Sequence, residues 1–431
     1  MIKEKSKQKM TRRDFIATGT IAVAGISGFP FVKRANLKAE EQKIKVGLVG
    51  CGGRGTGAAE NCLSSAPNVE LIAIADTFKD RVERCKQLLT DPKRRGGPLQ
   101  GYKVNNDHIF VGLDSFKKLL ETDINYVILA EPPGFRPLTF TAAVEAGKHV
   151  FMEKPVATDP VGLRKILEAG KKAKEKKLGV VAGTQRRHQK SYVETIKRIH
   201  DGQIGEIVSA DCYWVGDTAY HKIFPKTRDA GWTDMEWQIR NWYYFCWLSG
   251  DNIVEQHVHN IDVISWVLGT NPISALGIGG RQLRDYGNIY DHFAVDFEYP
   301  NGLHVMSLCR QMPNCDNRID EFIVGTKGKS YPKGEILGPN KWKFEGDSTN
   351  PYIQEHTDLI ESIRKGEPIN ESENIAYSVM TAIMGRESAY TGKVVTWDEI
   401  MKSDLDLFPK KLEFGPLSVP PVPQPGSPRP R

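Results

Sequence analysis

Cysteine is sparse in this chain: seven residues in 431, an odd number, with no C-x-x-C pair. That spacing excludes a disulfide framework and a thiolate metal site. Buried free thiols are the expected state, with Cys309 and Cys315 the one pair placed to join in an oxidising compartment. No basic stripe interleaved with aromatics occurs. The formal charge of +6 gathers in the first thirteen residues and the last few, so the body is near neutral and nucleic acid is not an expected partner. No apolar run is long enough for a membrane span.

The segment from Met10 to Val32, MTRRDFIATGTIAVAGISGFPFV, places Arg12 and Arg13 before a mildly apolar, Gly-rich run broken by Pro30. It resembles a twin-arginine export signal. The other reading is an amphipathic segment that stays in the cytosol. No A-x-A cleavage site follows, although Ala39 is a candidate end, and without a cysteine the segment has no place for a lipoprotein anchor. The expectation is a periplasmic or otherwise exported protein with no stable membrane anchor.

What is present begins at Lys43. KIKVGLVGCGGRGTG sets a glycine-rich turn directly after a short β-branched strand. Gly50, Gly52 and Gly55 fit G-x-G-x-x-G: the first for a tight turn, the second for backbone approach to a pyrophosphate, the third for close helix packing. Gly53 and Arg54 complete the loop, and the helix that follows aims its first amides at the phosphates. A second strand, VELIAIAD, ends in Asp76. An acid about 20 residues beyond the loop accepts the ribose hydroxyls of NAD and repels the extra phosphate of NADP. NAD is therefore the expected cofactor, with NADP left open by Lys79 and Arg81 nearby.

Strands then alternate with helical stretches up to HVFME, a βαβ rhythm that calls for a doubly wound parallel sheet. The Gly-, Pro- and Arg-rich stretch between Asp91 and Asp107 reads as a surface loop. Beyond Gly205, IVSADCYWVG, HFAVDFEY and LHVMSLCR alternate as half-buried strands of a mostly antiparallel sheet. Gln354 to Tyr390 is helical, divided by Gly366 and Pro368. The expected divisions are a leader over 1–40, a dinucleotide-binding domain over 41–155, a substrate-binding and oligomerisation domain over 156–400, and a Pro-rich tail over 401–431. That tail is expected to be extended and laid over a neighbouring subunit.

With Glu153-Lys154-Pro155, four motifs stand in order: VGLVGCGGRG, EAGKHVFMEKPVA, IVEQHVHNIDVISWVLG and YTGKVV. On these the chain resembles the Gfo/Idh/MocA oxidoreductases from about Lys43 to Trp397. The resemblance implies a Rossmann domain followed by an α+β domain with a large, mostly antiparallel open sheet, through which dimers or tetramers form. It implies that Glu153 and Lys154 meet the cofactor, that Lys154 lies between nicotinamide and substrate, and that His259 is the catalytic histidine. An ammonium beside a substrate hydroxyl stabilises developing alkoxide, and an imidazole removes its proton. Glu255, His259 and Asp262, four and three residues apart, share one face of a helix. Glu255 stands where the family usually has Asp, and serves to orient His259 or to contact sugar hydroxyls. Asp262 joins the substrate contacts.

Arg186 and Arg187, in GTQRRHQ, read as substrate contacts or as solvated surface charge. In MEWQIRNWYYFCWLSGD, Trp237, Arg240 and Tyr243, with neighbouring rings, read as a carbohydrate wall or as an aromatic core. Zinc held by Glu255, His257, His259 and His292 lacks a supporting motif, and no metal is expected. Glu131 replaces the family's small polar residue after the fourth strand. The expected activity is NAD(P)-dependent oxidation of a secondary hydroxyl of a sugar, glycoside or cyclitol. Two alternatives stand beside it: an NAD-dependent glycoside hydrolase with a redox-neutral cycle, and a non-catalytic sugar-binding protein.

Overall fold

The structure, a computed structural model, describes residues 42–93, 97–216, 227–347 and 349–427; the twin-arginine leader lies outside them. Strands β1 (Ile44–Val49), β2 (Val69–Asp76), β3 (Ile109–Val111), β4 (Tyr126–Leu129), β5 (His149–Met152) and β6 (Val180–Ala182) form a wholly parallel sheet in the order β3-β2-β1-β4-β5-β6. The central strands are covered on both faces, which is why they read as near-continuous Val, Ile and Leu runs. Tyr126 and Ile128 face one core, packed with α1 (Gly53–Leu63) and α2 (Lys79–Thr90). Val127 and Leu129 face the other, packed with α3 (Ser115–Leu120), α4 (Arg136–Glu145) and α5 (Pro160–Glu175). Asp159 starts α5 by accepting from the Gly162 amide at 2.6 Å, with Pro160 at the first helical position. The parallel sheet runs past residue 155, the expected boundary, since β6 is its edge strand.

Helix α6 (Lys190–His200) leads to β7 (Ile207–Gly216), and then, among the described residues, to four short or middle-length helices: α7 (Asp234–Arg240), α8 (Cys246–Ser249), α9 (Asn252–Glu255) and α10 (Val258–Leu268). Strands β8 (Ser274–Gly280), β9 (His292–Tyr299), β10 (Leu303–Gln311), β11 (Arg318–Gly325), β12 (Gly328–Tyr331), β13 (Glu335–Leu337), β14 (Trp342–Lys343) and β15 (Val395–Thr396) join β7 in a nine-stranded sheet. Its order is β14-β13-β12-β11-β7-β10-β9-β8-β15. Only β7 and β10 pair in parallel.

Period-two alternation decides the faces of this sheet. Phe293, Val295, Phe297 and Tyr299 of β9 point into the core. Helix α11 (Pro351–Lys365) returns to the parallel sheet, where Leu359, Ile360 and Ile363 pack with Val46 and Ile128. Helix α12 (Ser372–Thr391), buried along most of its length, packs on β8 and β9, and α13 (Trp397–Lys402) follows β15. The opposite face stays open, with Leu276 and Ile278 of β8 54% and 70% exposed and Met306 of β10 43% exposed.

The Pro-rich tail is extended but packs on its own chain. Leu407, Phe408, Leu412 and Leu417 cover Phe78, Phe135, Ile239 and Trp247. Leu417 is pinned at both backbone groups, its amide to Asp234 at 3.2 Å and its carbonyl to Gln238 at 2.8 Å. Six of the seven cysteines are buried and free; Cys315 departs from the expectation in being exposed. No described helix is long and apolar enough to cross a membrane.

Candidate active site

The glycine turn closes between β1 and α1. Gly50 has φ +94°, and a Cβ there would stand 2.4 Å from the Glu131 amide nitrogen. One on Gly55 would stand 1.8 Å from the Gly50 carbonyl oxygen. Both positions are closed to any side chain. Gly52 and Gly53 face open space, with nothing within 4 Å of an added Cβ. This is the opening that a pyrophosphate needs at the start of α1.

Asp76 ends β2 beside the turn. Its carboxylate accepts from the Cys51 amide at 2.7 Å and the Phe78 amide at 2.9 Å, which fixes its direction and leaves lone pairs for ribose hydroxyls. Burial raises its pKa above the ordinary value, against the pull of those two amides. These residues fit a dinucleotide, and they line a cavity of about 470 Å³ that runs from Asp76 past Glu131 to Lys154, Glu255 and His259.

Lys154, two residues beyond β5, donates from Nζ to the Glu255 carbonyl and stands 3.1 Å from Glu255 Oε1. Both side chains are about nine-tenths buried. Glu255 Oε2 accepts from Gln256. Glu255 thus holds Lys154, a different task from the expected orientation of His259. The single helical face expected for Glu255, His259 and Asp262 is broken, since α9 ends at Glu255 and α10 starts at Val258.

His259 lies in the first turn of α10, stacked on Trp214 of β7 at 5.7 Å and 25°. Burial, and after it the positive charges of Lys154, Arg186 and Arg54, push its pKa well below 6.5. The imidazole is neutral at pH 7 and able to take a proton. Arg54 leaves the glycine turn to meet Glu153, with its guanidinium 5.0 Å from the Tyr352 ring centroid. Gly183 lets the Glu153 carboxylate approach, because a Cβ there would stand 2.4 Å from Glu153 Oε2.

The expected substrate contacts divide. Arg186 is buried against Glu321, which Tyr192 and Asn260 also hold at 3.2 and 2.6 Å. Arg187 forms a two-pronged pair with Asp262, at 2.9 Å to each oxygen, and Ser378 donates to Asp262 at 2.8 Å. Trp237 packs edge-on to Phe245, and Tyr243 is buried with Gln311 donating to its hydroxyl. None of these five lines the cleft. The physical reason is common to the charged ones: a buried charge requires a partner, and each has found one inside the fold. Arg240 does reach the cleft, at its nucleoside end, 3.8 Å over the Phe78 ring and paired with Asp80 and Glu236.

His257 bonds Ser307 at 2.7 Å, and burial pushes its pKa down to about 3. His292 pairs with Asp291 at 2.8 Å. Among the described residues no group of three or more His, Cys, Asp or Glu is gathered to hold a metal. Sequence reasoning missed Trp214 and Gln256 as cleft residues. For Trp214 a signal existed: alternation places it on the same face of β7 as the buried Ala210 and Cys212.

Residues 44–181 match the oxidoreductase family with an NAD-binding Rossmann fold, and residues 192–330 match the GFO/IDH/MocA C-terminal domain. The two domains occur in the family's order and together span more than half of the chain. The chain belongs to the Gfo/Idh/MocA family. Among its relatives, scyllo-inositol 2-dehydrogenase (NAD(+)) of Bacillus subtilis is 25% identical over 68% of this chain and 74% of its own. Scyllo-inositol dehydrogenase of Lactobacillus casei, solved with NAD(H) and scyllo-inositol, is similar at a TM-score of 0.61 and 19% identity, covering 82% of this chain and 99% of its own. Aldose–aldose oxidoreductase of Caulobacter crescentus, solved with glycerol, gives 0.64 and 17%, covering 82% and 100%. The protein is an NAD-dependent oxidoreductase acting on CH–OH groups.

A neutral His259 predicts where activity fails in acid. With His259 as the base, protonation would remove it only below its depressed pKa, so kcat/KM, followed as a function of pH, would begin to fall well below pH 6.5. An acid limb centred at or above pH 6.5 would contradict the assignment.

Proposed function

We propose that the protein oxidises a secondary hydroxyl of a cyclitol or sugar, with Lys154 and His259 managing the proton and the dinucleotide firmly retained. The observation that carries this is the meeting of a held ammonium and a neutral imidazole in one cleft with the glycine turn. Bound NAD supplies the hydride acceptor. Lys154, fixed by Glu255, directs an N–H at the substrate oxygen and stabilises negative charge as it develops there. His259 takes the hydroxyl proton. Trp214, stacked behind His259, keeps the ring in place and offers an apolar face to a ring substrate. The names of the relatives, inositol dehydrogenases and a sugar oxidoreductase, support the polyol class.

The dibasic leader supports export, and outside the cytoplasm a free cofactor is not replenished. With a retained dinucleotide the site would serve two half-reactions in turn, the hydride taken from the hydroxyl carbon of one substrate being returned to the carbonyl carbon of a second, an aldose or ketose. Mass spectrometry of the dinucleotide released on denaturation, with product analysis against sugars, cyclitols and glycosides without added cofactor, tests this. Stoichiometric NAD with a keto product is the expected result. Aglycone release would favour the hydrolase, and a protein that arrives empty would overturn retention. Lys154→Met is expected to lower turnover at least about a hundredfold while NADH affinity stays within about threefold. Activity near the original rate would remove Lys154 from the mechanism.

The exposed apolar face of β8 and β10 is the proposed assembly surface for a homodimer or tetramer. Ile278→Asp should convert the oligomer to monomer in sedimentation velocity. A wild-type monomer would reject this surface.

A further inference from the structure

We infer that Glu131 is a cofactor-positioning residue, with its Oε2 accepting a hydrogen bond from the nicotinamide riboside of bound NAD. Glu131 directly follows Ala130 at the end of β4, against the glycine turn, since its own amide nitrogen is the atom that closes Gly50 to side chains. In the sheet order the chain runs outward one way from β1 through β2 and β3, and the other way from β4 through β5 and β6. A dinucleotide crosses such a sheet at the reversal, between β1 and β4. Asp76 on β2 marks the nucleoside side. Glu131 lies on the other side, that of Lys154.

The carboxylate is pinned by one oxygen only. Oε1 accepts from Thr139 at 2.5 Å and stands 3.2 Å from Arg136 Nη1. Oε2 is buried with no donor among the described residues, although Glu131 lines the cleft and its side chain is 10% exposed. Arg136 cannot turn to serve Oε2. Its Nε, Nη1 and Nη2 are already committed to the carbonyls of Glu153, Leu129 and Glu131 at 3.1, 2.7 and 2.8 Å. Neutralising Arg136 therefore accounts for Oε1 and leaves Oε2 unexplained. An unmade hydrogen bond at a buried carboxylate is costly, and a ligand O–H or N–H removes that cost. The pyrophosphate offers acceptors alone and is repelled. Donors on this side of the crossing are the ribose hydroxyls and the carboxamide of the nicotinamide riboside.

Glu131→Gln tests the assignment, since it preserves an oxygen for Thr139 and Arg136 and presents an amide to the ligand. Calorimetric titrations on protein freed of bound dinucleotide would compare NADH, ADP-ribose and ADP. NADH affinity is expected to fall about tenfold, the scale of one charged hydrogen bond, with ADP unchanged. A parallel loss for ADP-ribose assigns the donor to the ribose hydroxyls; an unchanged value assigns it to the carboxamide. Equal losses for NADH and ADP, or no loss for either, would overturn the inference. Glu131→Asp, which retains the charge beside Arg136 and shortens the reach, gives the same NADH-selective loss and serves where the Gln variant fails to fold.

Discussion

The bond from Lys154 to Glu255 joins the two halves of the molecule in the wall of the cleft. Lys154 comes from the end of β5 in the parallel sheet, and Glu255 comes 101 residues later from the end of α9. Because the ammonium meets both a carbonyl and a carboxylate of the same residue, its direction is fixed in a cleft where two bare charges would otherwise be strongly disfavoured. Breaking such a buried pair by removing one partner costs about 3–5 kcal/mol. The constraint also sets His259, whose helix begins just beyond the Glu255 turn and whose ring lies close enough to the ammonium to feel its charge.

Around that bond the cleft is built by packing. Glycines clear the pyrophosphate path, Asp76 is aimed by two amides, and Glu153 is drawn against Gly183 and Arg54. At the nucleoside end the wall is double. Phe78 and Arg240 stack inside, and the tail's Phe414 stacks on Phe78 from behind at 6.3 Å. Between Ser403 and Ser427 the Pro-rich tail makes no helix or strand, yet its spaced Leu and Phe residues are half-buried, each gaining part of the about 1.5–3 kcal/mol that full burial would give. It stiffens the wall without adding a layer to the fold.

Much of this was legible in the residues. The strand Ile44–Val49, the glycine turn, Asp76 and the alternating strands carry local signals that tertiary context did not override. The lining of the cleft was legible where its residues belong to ordered motifs, as with Lys154 and His259, which both face it. It was not legible where a side chain's fate depends on a distant partner. Arg187 looked like a ligand contact because Asp262, its partner, lies 75 residues away, and Arg186 likewise because Glu321 lies 135 away. The helical face from Glu255 to Asp262 failed for a different reason. His257 turns into the core to meet Ser307 on β10, and the helix is interrupted there. In the aromatic run from Trp237, Trp242 lines the cleft while Trp237 and Tyr243 pack inside the fold, a division that composition alone does not decide.

A crystal structure of the protein with NADH and a bound polyol would test the central claim most directly. The account predicts that one hydroxyl oxygen of the polyol lies within about 3 Å of both Lys154 Nζ and a ring nitrogen of His259, with its carbon facing the nicotinamide. A polyol seated with that oxygen away from both, while the Lys154–Glu255 bond remains intact, would contradict it.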